Sequence, residues 1–384
     1  VARKEHVAFR ISNTLICRSE DVPQAEKYLL VGSTEPYSGK SSTILGLTHQ
    51  LQQQGFQVGY GKPIGTCLSE LAADSTDEDV RFITQVLSVS PDCLRPTLLT
   101  LDAQTIQRRM RGDDQADYRQ LFQEHLQNPN SDLVLLEGPG TLEEGRLFNL
   151  SVLQMADGAN ANVLLVSRFH SVLLVDALIS ARDQLGDRLI GVLINDIPTE
   201  NLEEVATTMK PFLESQSIPV LGMLPRNILL RSVSVGELVR QLNAEVLCRP
   251  DRLDLMVESL KIGAMNVSAA LKYFQAASNM AIVTGGDRTD IQLAALETST
   301  QCLILTGQLP PATFILSRAE ELEIPVLSVE LDTLSTVEII DQAFGQVRLH
   351  ETAKVECIRH LMKEHFDTPR LISLLGLQTA TPVS

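Results

Sequence analysis

The sequence predicts an α/β fold: a doubly wound, mostly parallel sheet in a first domain, then a smaller α/β domain. Three observations carry this expectation. From residue 27 to about 225, short Val-, Leu- and Ile-rich runs alternate with longer helical patterns, the rhythm of parallel strands joined by crossover helices. The runs are almost continuously apolar, as strands covered on both faces must be. Near 225 the alternation breaks, and it resumes between 280 and 345.

In the first domain the strand candidates are 27–32, 56–62, 133–137, 162–166, 189–194 and 219–223. Helical patterns fall near 40–54, 78–88, 102–127, 149–157, 171–185 and 200–215. The intervening stretch 228–275 is mixed: 238–242 reads as helix, 244–247 as strand and 253–261 as helix. Beyond it, 280–284, 302–306 and 326–329 read as strands, with helices over 290–297, 312–322 and 336–344. The pattern divides the chain into a lead-in over 1–26, a first domain over 27–225, a second over 228–345, and 346–384. That last part reads as one amphipathic helix, 350–366, and a tail.

Composition bounds the function. At 384 residues there is length for two or three cores. A net charge of −16 argues against general affinity for nucleic acid or anionic membrane. With 4% aromatics and no Trp, single-strand stacking platforms are also disfavoured. The six Cys, at 17, 67, 93, 248, 302 and 357, form no Cys-x-x-Cys pair and no Cys/His cluster. Reduced, buried thiols in a cytoplasmic protein are the expectation. No apolar run is long enough for a membrane span, and residues 1–26 lack the apolar centre of a signal peptide. The first residue is Val, which an alternative start codon translated literally would explain.

The chemistry concentrates at strand ends. The run Lys27-Tyr28-Leu29-Leu30-Val31 leads into Gly32-Ser33-Thr34-Glu35-Pro36-Tyr37-Ser38-Gly39-Lys40-Ser41 and then into a helix. Strand, glycine-bearing loop, Gly-Lys-Ser, helix is the layout of a phosphate-binding loop. Its backbone N–H groups and the helix N-terminus behind it face an anion. Gly32, Ser33, Thr34, Ser38, Gly39, Lys40, Ser41 and Ser42 are the candidate nucleotide-binding residues. Lys40 is placed to reach the outer phosphates, and the Ser41 hydroxyl to ligate Mg²⁺. The spacing departs from Gly-x4-Gly-Lys: Thr34 stands where the first Gly belongs, and Gly32 lies two residues earlier.

Further residues are placed at the same rim. Lys62 ends the second strand, and Pro63 holds it extended. Asp77 and Asp79 lie in an acidic cluster before a helix, where carboxylates suit the helix dipole; one of them is also a candidate Mg²⁺ ligand. Glu137, at a buried strand end before Gly138-Pro139-Gly140, is the second candidate Mg²⁺ contact. Asn195 carries both donor and acceptor, which suits a purine edge and equally suits a turn before Pro198. In the second domain, Gly285, Gly286, Asp287, Arg288 and Thr289 follow a strand and precede a helix. Asp287 or Thr289 suits the helix cap, and Arg288 is the charge partner for an anionic ligand if a pocket forms there.

The order of these motifs resembles a known family. The phosphate loop, Gly59-Tyr60-Gly61-Lys62-Pro63, the acidic segment, Glu137-Gly138-Pro139-Gly140 and a strand ending in Asn195 look like dethiobiotin synthetase, and are similar to the amide-forming enzymes of corrin synthesis. Asp77-Glu78-Asp79-Val80-Arg81-Phe82 resembles the acidic segment of the N-terminal region of long phosphate acetyltransferases. In those proteins a DRTGG domain follows, which Thr284-Gly285-Gly286-Asp287-Arg288-Thr289-Asp290 resembles. The resemblance implies ATP and Mg²⁺ as cofactors, Lys40 and Lys62 as the catalytic pair if the module is a ligase, and a homodimer or higher oligomer. After 345 too little chain remains for an acetyltransferase domain, so that activity is not expected. Two readings follow: a nucleotide-binding regulator with little turnover, whose second domain senses a ligand or a protein partner, or an ATP- and Mg²⁺-dependent ligase. A nucleotide-free scaffold is the third.

Overall fold

The computed structural model describes residues 27–65, 78–87, 89–126, 131–345 and 352–378. Seven strands form the first sheet: β1 (Lys27–Ser33), β2 (Val58–Gly61), β3 (Leu94–Arg95), β4 (Leu133–Glu137), β5 (Asn162–Arg168), β6 (Leu189–Ile197) and β7 (Val220–Pro225). Their order is β3-β2-β4-β1-β5-β6-β7, and every pairing is parallel. Central β1 lies between β4 and β5, with Val31 opposite both Glu137 and Leu164. The chain crosses outward from β1 to β2 on one side and continues to β5 on the other. The carboxyl end of β1 is therefore a topological switch point, where a crevice opens in such sheets.

Both faces of this sheet are covered, which explains the unbroken apolar runs. On one face Leu29 and Val31 pack with Ile44 and Leu47 of α1 (Lys40–Gln53). On the other, Leu30 and Val134 pack with Val152 and Met155. The remaining first-domain helices are α2 (Glu78–Leu87), α3 (Ala103–Arg111), α4 (Tyr118–His125), α5 (Val152–Gly158), α6 (Leu174–Leu185) and α7 (residues 202–215, with a π-helical turn at Val205–Met209). The single helix expected over 102–127 is thus two. Gly112, at φ +80, ends α3, and the Asp117 carboxylate accepts from the first-turn amides of α4, a stop and a start signal ten residues from either end.

After α8 (Ile228–Arg231) and α9 (Val235–Leu242), the second domain forms a five-stranded sheet. Its strands are β8 (Glu245–Cys248), β9 (Ser259–Ile262), β10 (Met280–Gly285), β11 (Thr300–Thr306) and β12 (Val326–Val329), in the order β8-β12-β11-β10-β9. Only β8 runs antiparallel to its neighbour. The helix expected over 253–261 is corrected here: this stretch supplies β9 and the short strand Met256–Val257, because Ser259–Ile262 pairs with Met280–Val283. The helices are α10 (Val267–Gln275), capped by Asn266, then α11 (Thr289–Leu296), α12 (Thr313–Glu321) and α13 (Thr333–Gly345).

The chain then returns to the first domain. α14 (Thr352–His365) and α15 (Thr368–Leu375) complete the α1 face of its core through Ile358, Met362, Leu371 and Leu375. Gly46 allows the approach: a Cβ there would stand 2.4 Å from Met362 Cγ. Phe366 bridges to Gly222 on β7, the Asp367 amide donates to Leu221 O at 2.7 Å, and Arg370 pairs with Glu214 at 2.8 Å. The segment expected as a tail is therefore partly a helix, with Asp367 as its cap and Pro369 in its first turn.

Candidate nucleotide site

The phosphate loop sits at the switch point, between the carboxyl end of β1 and α1. Gly39 is the N-cap of α1 at φ +104, and no side chain caps the first turn, the end of a helix whose amides have no intrahelical acceptor. Those donors and the dipole behind them favour an anion. Thr43 secures the turn, its amide and its hydroxyl each donating to Gly39 O at 2.9 Å.

Ser41 and Glu137, expected as the Mg²⁺ pair, meet: Ser41 Oγ donates to Glu137 Oε1 at 2.8 Å. Glu137 is buried, and Tyr60 OH donates to its other oxygen at 2.9 Å. The β2–β4 register, Gly61 opposite Leu136, carries Lys62 and Glu137 side by side at the strand ends, and Lys62 is only 4% exposed. Lys40 Nζ donates to Ser33 Oγ at 3.0 Å, and Ser33 in turn donates to Glu35 O and Gly140 O. Gly32 ends against Val152 and Leu165, where a Cβ would crowd both at 3.1–3.2 Å. Thr34 shares a hydrogen bond with Ser167 at 3.0 Å. Ser38 Oγ is buried without a partner among the described residues. Ser42 and Gly39 line a neighbouring cavity of about 110 Å³.

Asn195 holds the loop as well as facing that cavity. Its Nδ2 donates to Ser38 O at 2.9 Å and lies where a Cβ on residue 39 would stand, 2.4 Å away. Glu35, the one anionic side chain of the loop, is turned away to the end of β5, where it accepts from the Arg168 amide at 3.1 Å and pairs with His170 at 2.8 Å. Asp77 lies outside the described residues, and Asp79 is in the first turn of α2. Among the described residues no group of three or more His, Cys, Asp or Glu gathers as a metal site. A cation here would rest on Ser41, Glu137 and phosphate oxygens, the sparse protein set that Mg²⁺ commonly takes.

In the second domain, Gly286 is required by close approach: a Cβ there would stand 2.2 Å from Leu309 O. Gln292, buried in α11, donates to both Gly285 O and Gly286 O at 3.0 Å. Arg288 is turned onto Asp290 and Met265 O. Arg288 itself is the N-cap of α11, and it provides no side-chain cap, so the cap expected from Asp287 or Thr289 is not made. The turn is held by Gln292 instead.

Several site residues were given no role from the sequence: Tyr60, Ser167, Arg168, Asp196, Arg226 and Arg231. Asp196, at φ +57, accepts from Arg168 Nε at 2.9 Å and from Arg226 Nε at 3.0 Å. Position was the available signal: Tyr60, Ser167, Arg168 and Asp196 all lie at or beside carboxyl ends of sheet strands.

Residues 27–234, more than half of the chain, match the family described as AAA domain. The chain belongs to that family. Residues 237–343 match the DRTGG domain. The phosphate acetyltransferase of Nitratidesulfovibrio vulgaris is 23% identical over 374 residues, covering 90% of this chain and 51% of that protein. That of Synechocystis sp. is 24% identical over 363 residues, with the same coverage. The chain spans about half the length of these curated relatives, and it carries an AAA domain followed by a DRTGG domain, as the motif order led one to expect. Among solved structures, the CBS and DRTGG regulatory region of Clostridium perfringens pyrophosphatase aligns at 21% identity and a TM-score of 0.28, over 45% of this chain and 86% of that one. At that score it adds no argument about this chain. No helix among the described residues is long and apolar enough to cross a membrane.

Proposed function

We propose that the first domain binds a purine nucleotide with Mg²⁺ through Gly39, Lys40 and Ser41, and that the second domain responds to its occupancy. The observation that carries this reading is the Ser41–Glu137 hydrogen bond of 2.8 Å beside Lys40, at the switch point of a parallel sheet. A hydroxyl and a carboxylate meeting next to a helix N-terminus without a side-chain cap suit a divalent cation and the phosphates it bridges. The cation, when bound, neutralises phosphate charge. Glu137 is kept in place for it by Tyr60, and Lys40 by Ser33. Asn195 sets the loop's curvature through Ser38 O.

Regulation is favoured over ligation by two features. Phe344, in the last helix of the second domain, lines the cavity that begins at Gly39, as do Ile358 and Met362 of α14. Occupancy of that cavity would be felt by the last helix of the second domain and by α14 of the first. Lys62, the residue a ligase would need to orient its substrate, is buried at 4%. The test is a titration with ATP and Mg²⁺ paired with a phosphate-release assay on the same sample. The reading expects saturable binding with little turnover. Rapid phosphate release stimulated by a small amine or acid substrate would establish the ligase instead.

A further inference from the structure

Arg168, Arg231 and Asp196 line the same cavity, and Arg226, outside its lining, reaches Asp196 from beside it. Arg168, Arg226 and Arg231 surround a single carboxylate, Asp196. Both oxygens of that carboxylate are engaged, one by Arg168 and one by Arg226. Arg231, at the end of α8, lines the cavity and makes no hydrogen bond or ion pair with any described residue. Burial pushes its pKa down; Asp196 opposes that shift, and Arg168 and Arg226 add to it. A half-buried, unpaired guanidinium carries a desolvation cost that an anionic ligand would relieve.

The rest of the cavity narrows the class of anion. One end is formed by Gly39, Ser42 and Thr43, at the first turn of α1, and an apolar wall is formed by Leu224, Leu230 and Phe344. A nucleotide anchored by its phosphates at α1 would extend its sugar and base into this space. Asp196 is already shared by Arg168 and Arg226, so the Arg231 charge is left without a carboxylate of its own in the cavity. A phosphomonoester carries about −1.5 to −2 at neutral pH, whereas a carboxylate carries one. The planar guanidinium fork also fits phosphate oxygens in pairs.

We propose that this cavity selects a nucleotide bearing an additional phosphate on its ribose, with Arg231 as the principal contact to that phosphate and Arg168 beside it. The inference rests on the nucleotide reading of the same site, and adds to it the chemistry of the far end of the ligand.

The test is calorimetric titration of the whole chain, with Mg²⁺, using ADP and ADP carrying a further 2′- or 3′-phosphate. The expected result is that one of the two phosphorylated forms binds at least tenfold more tightly than ADP. Arg231→Gln should reduce that preference at least tenfold, and Arg231→Lys, which keeps the charge but not the fork, should reduce it by less. Unliganded thermal unfolding of each variant checks that the fold is retained. Equal affinities for all three nucleotides would overturn the inference while leaving the nucleotide site standing. Equal weakening of ADP and the phosphorylated forms by Arg231→Gln would also overturn it, placing the guanidinium against the base. If the wild-type chain binds none of the three, the nucleotide reading fails, and this inference with it.

Discussion

Gly39→Ala probes the geometry on which the site depends. Gly39 is at φ +104, outside the region open to alanine, and holding a non-glycine residue in such a conformation costs about 1–3 kcal/mol. The added Cβ would also stand 2.4 Å from Asn195 Nδ2. Asn195 must then swing away and release its hydrogen bond to Ser38 O, worth about 1 kcal/mol. The substitution should therefore destabilise the chain by about 2–4 kcal/mol, measured by urea unfolding followed by circular dichroism. Asn195→Ala made alone should cost about 1 kcal/mol. The double variant should be less destabilised than the sum of the two, because the clash is removed while the backbone strain remains. Strict additivity in the double-mutant cycle, or a Gly39→Ala protein as stable as the parent, would refute this account of the loop.

Other consequences can be checked separately. Glu137→Gln keeps the shape of the side chain but removes the charge beside Ser41; it should reduce the Mg²⁺ dependence of nucleotide binding at least tenfold, read by titration with and without the metal. His125 is buried, neither of its ring nitrogens has a partner among the described residues, and burial followed by the Arg95 charge lowers its pKa from 6.5 to about 4. Between those values the unfolded chain holds the extra proton, so stability is present above pH 6.5 and falls as the pH drops toward 4. The contribution lost between pH 6.5 and 5 is about 2 kcal/mol. His125→Leu should flatten that part of the stability profile, and an unchanged slope would contradict the assignment. Gly46→Val forces α14 away from α1 at Met362 and should cost about 1–3 kcal/mol by overpacking, detected as a lowered unfolding midpoint.

Where the sequence was informative, the reason was local and physical. The strands of the first sheet are covered on both faces, so their apolar runs stand out against amphipathic helices. The meeting of Ser41 with Glu137 follows from two strand ends adjacent in a parallel sheet, each marked by Gly-containing loops. The failures were of a different kind. Residues 253–261 contain no Gly or Pro and satisfy either periodicity; pairing with Met280–Val283 selects the strand, a tertiary contact that no local pattern encodes. Pro369 made the C-terminal segment read as a tail, although proline in a first helical turn is favourable. Asn195 offered a donor and an acceptor to any partner, and nothing nearby in sequence indicated that Ser38 O, far along the chain, would take the donor. Arg231 likewise gains its meaning only when Asp196, Arg168 and Arg226 converge from the ends of neighbouring strands.

The central claim is that Gly39, Lys40 and Ser41 hold the phosphates of a nucleotide. It is tested most directly by titrating ATP with Mg²⁺ into the wild-type chain and into Lys40→Ala, with unfolding curves confirming that both are folded. The account predicts one site per chain in the wild type and a loss of affinity of at least a hundredfold in the variant. Unchanged affinity in Lys40→Ala, or no binding by the wild type at millimolar ATP, would contradict it.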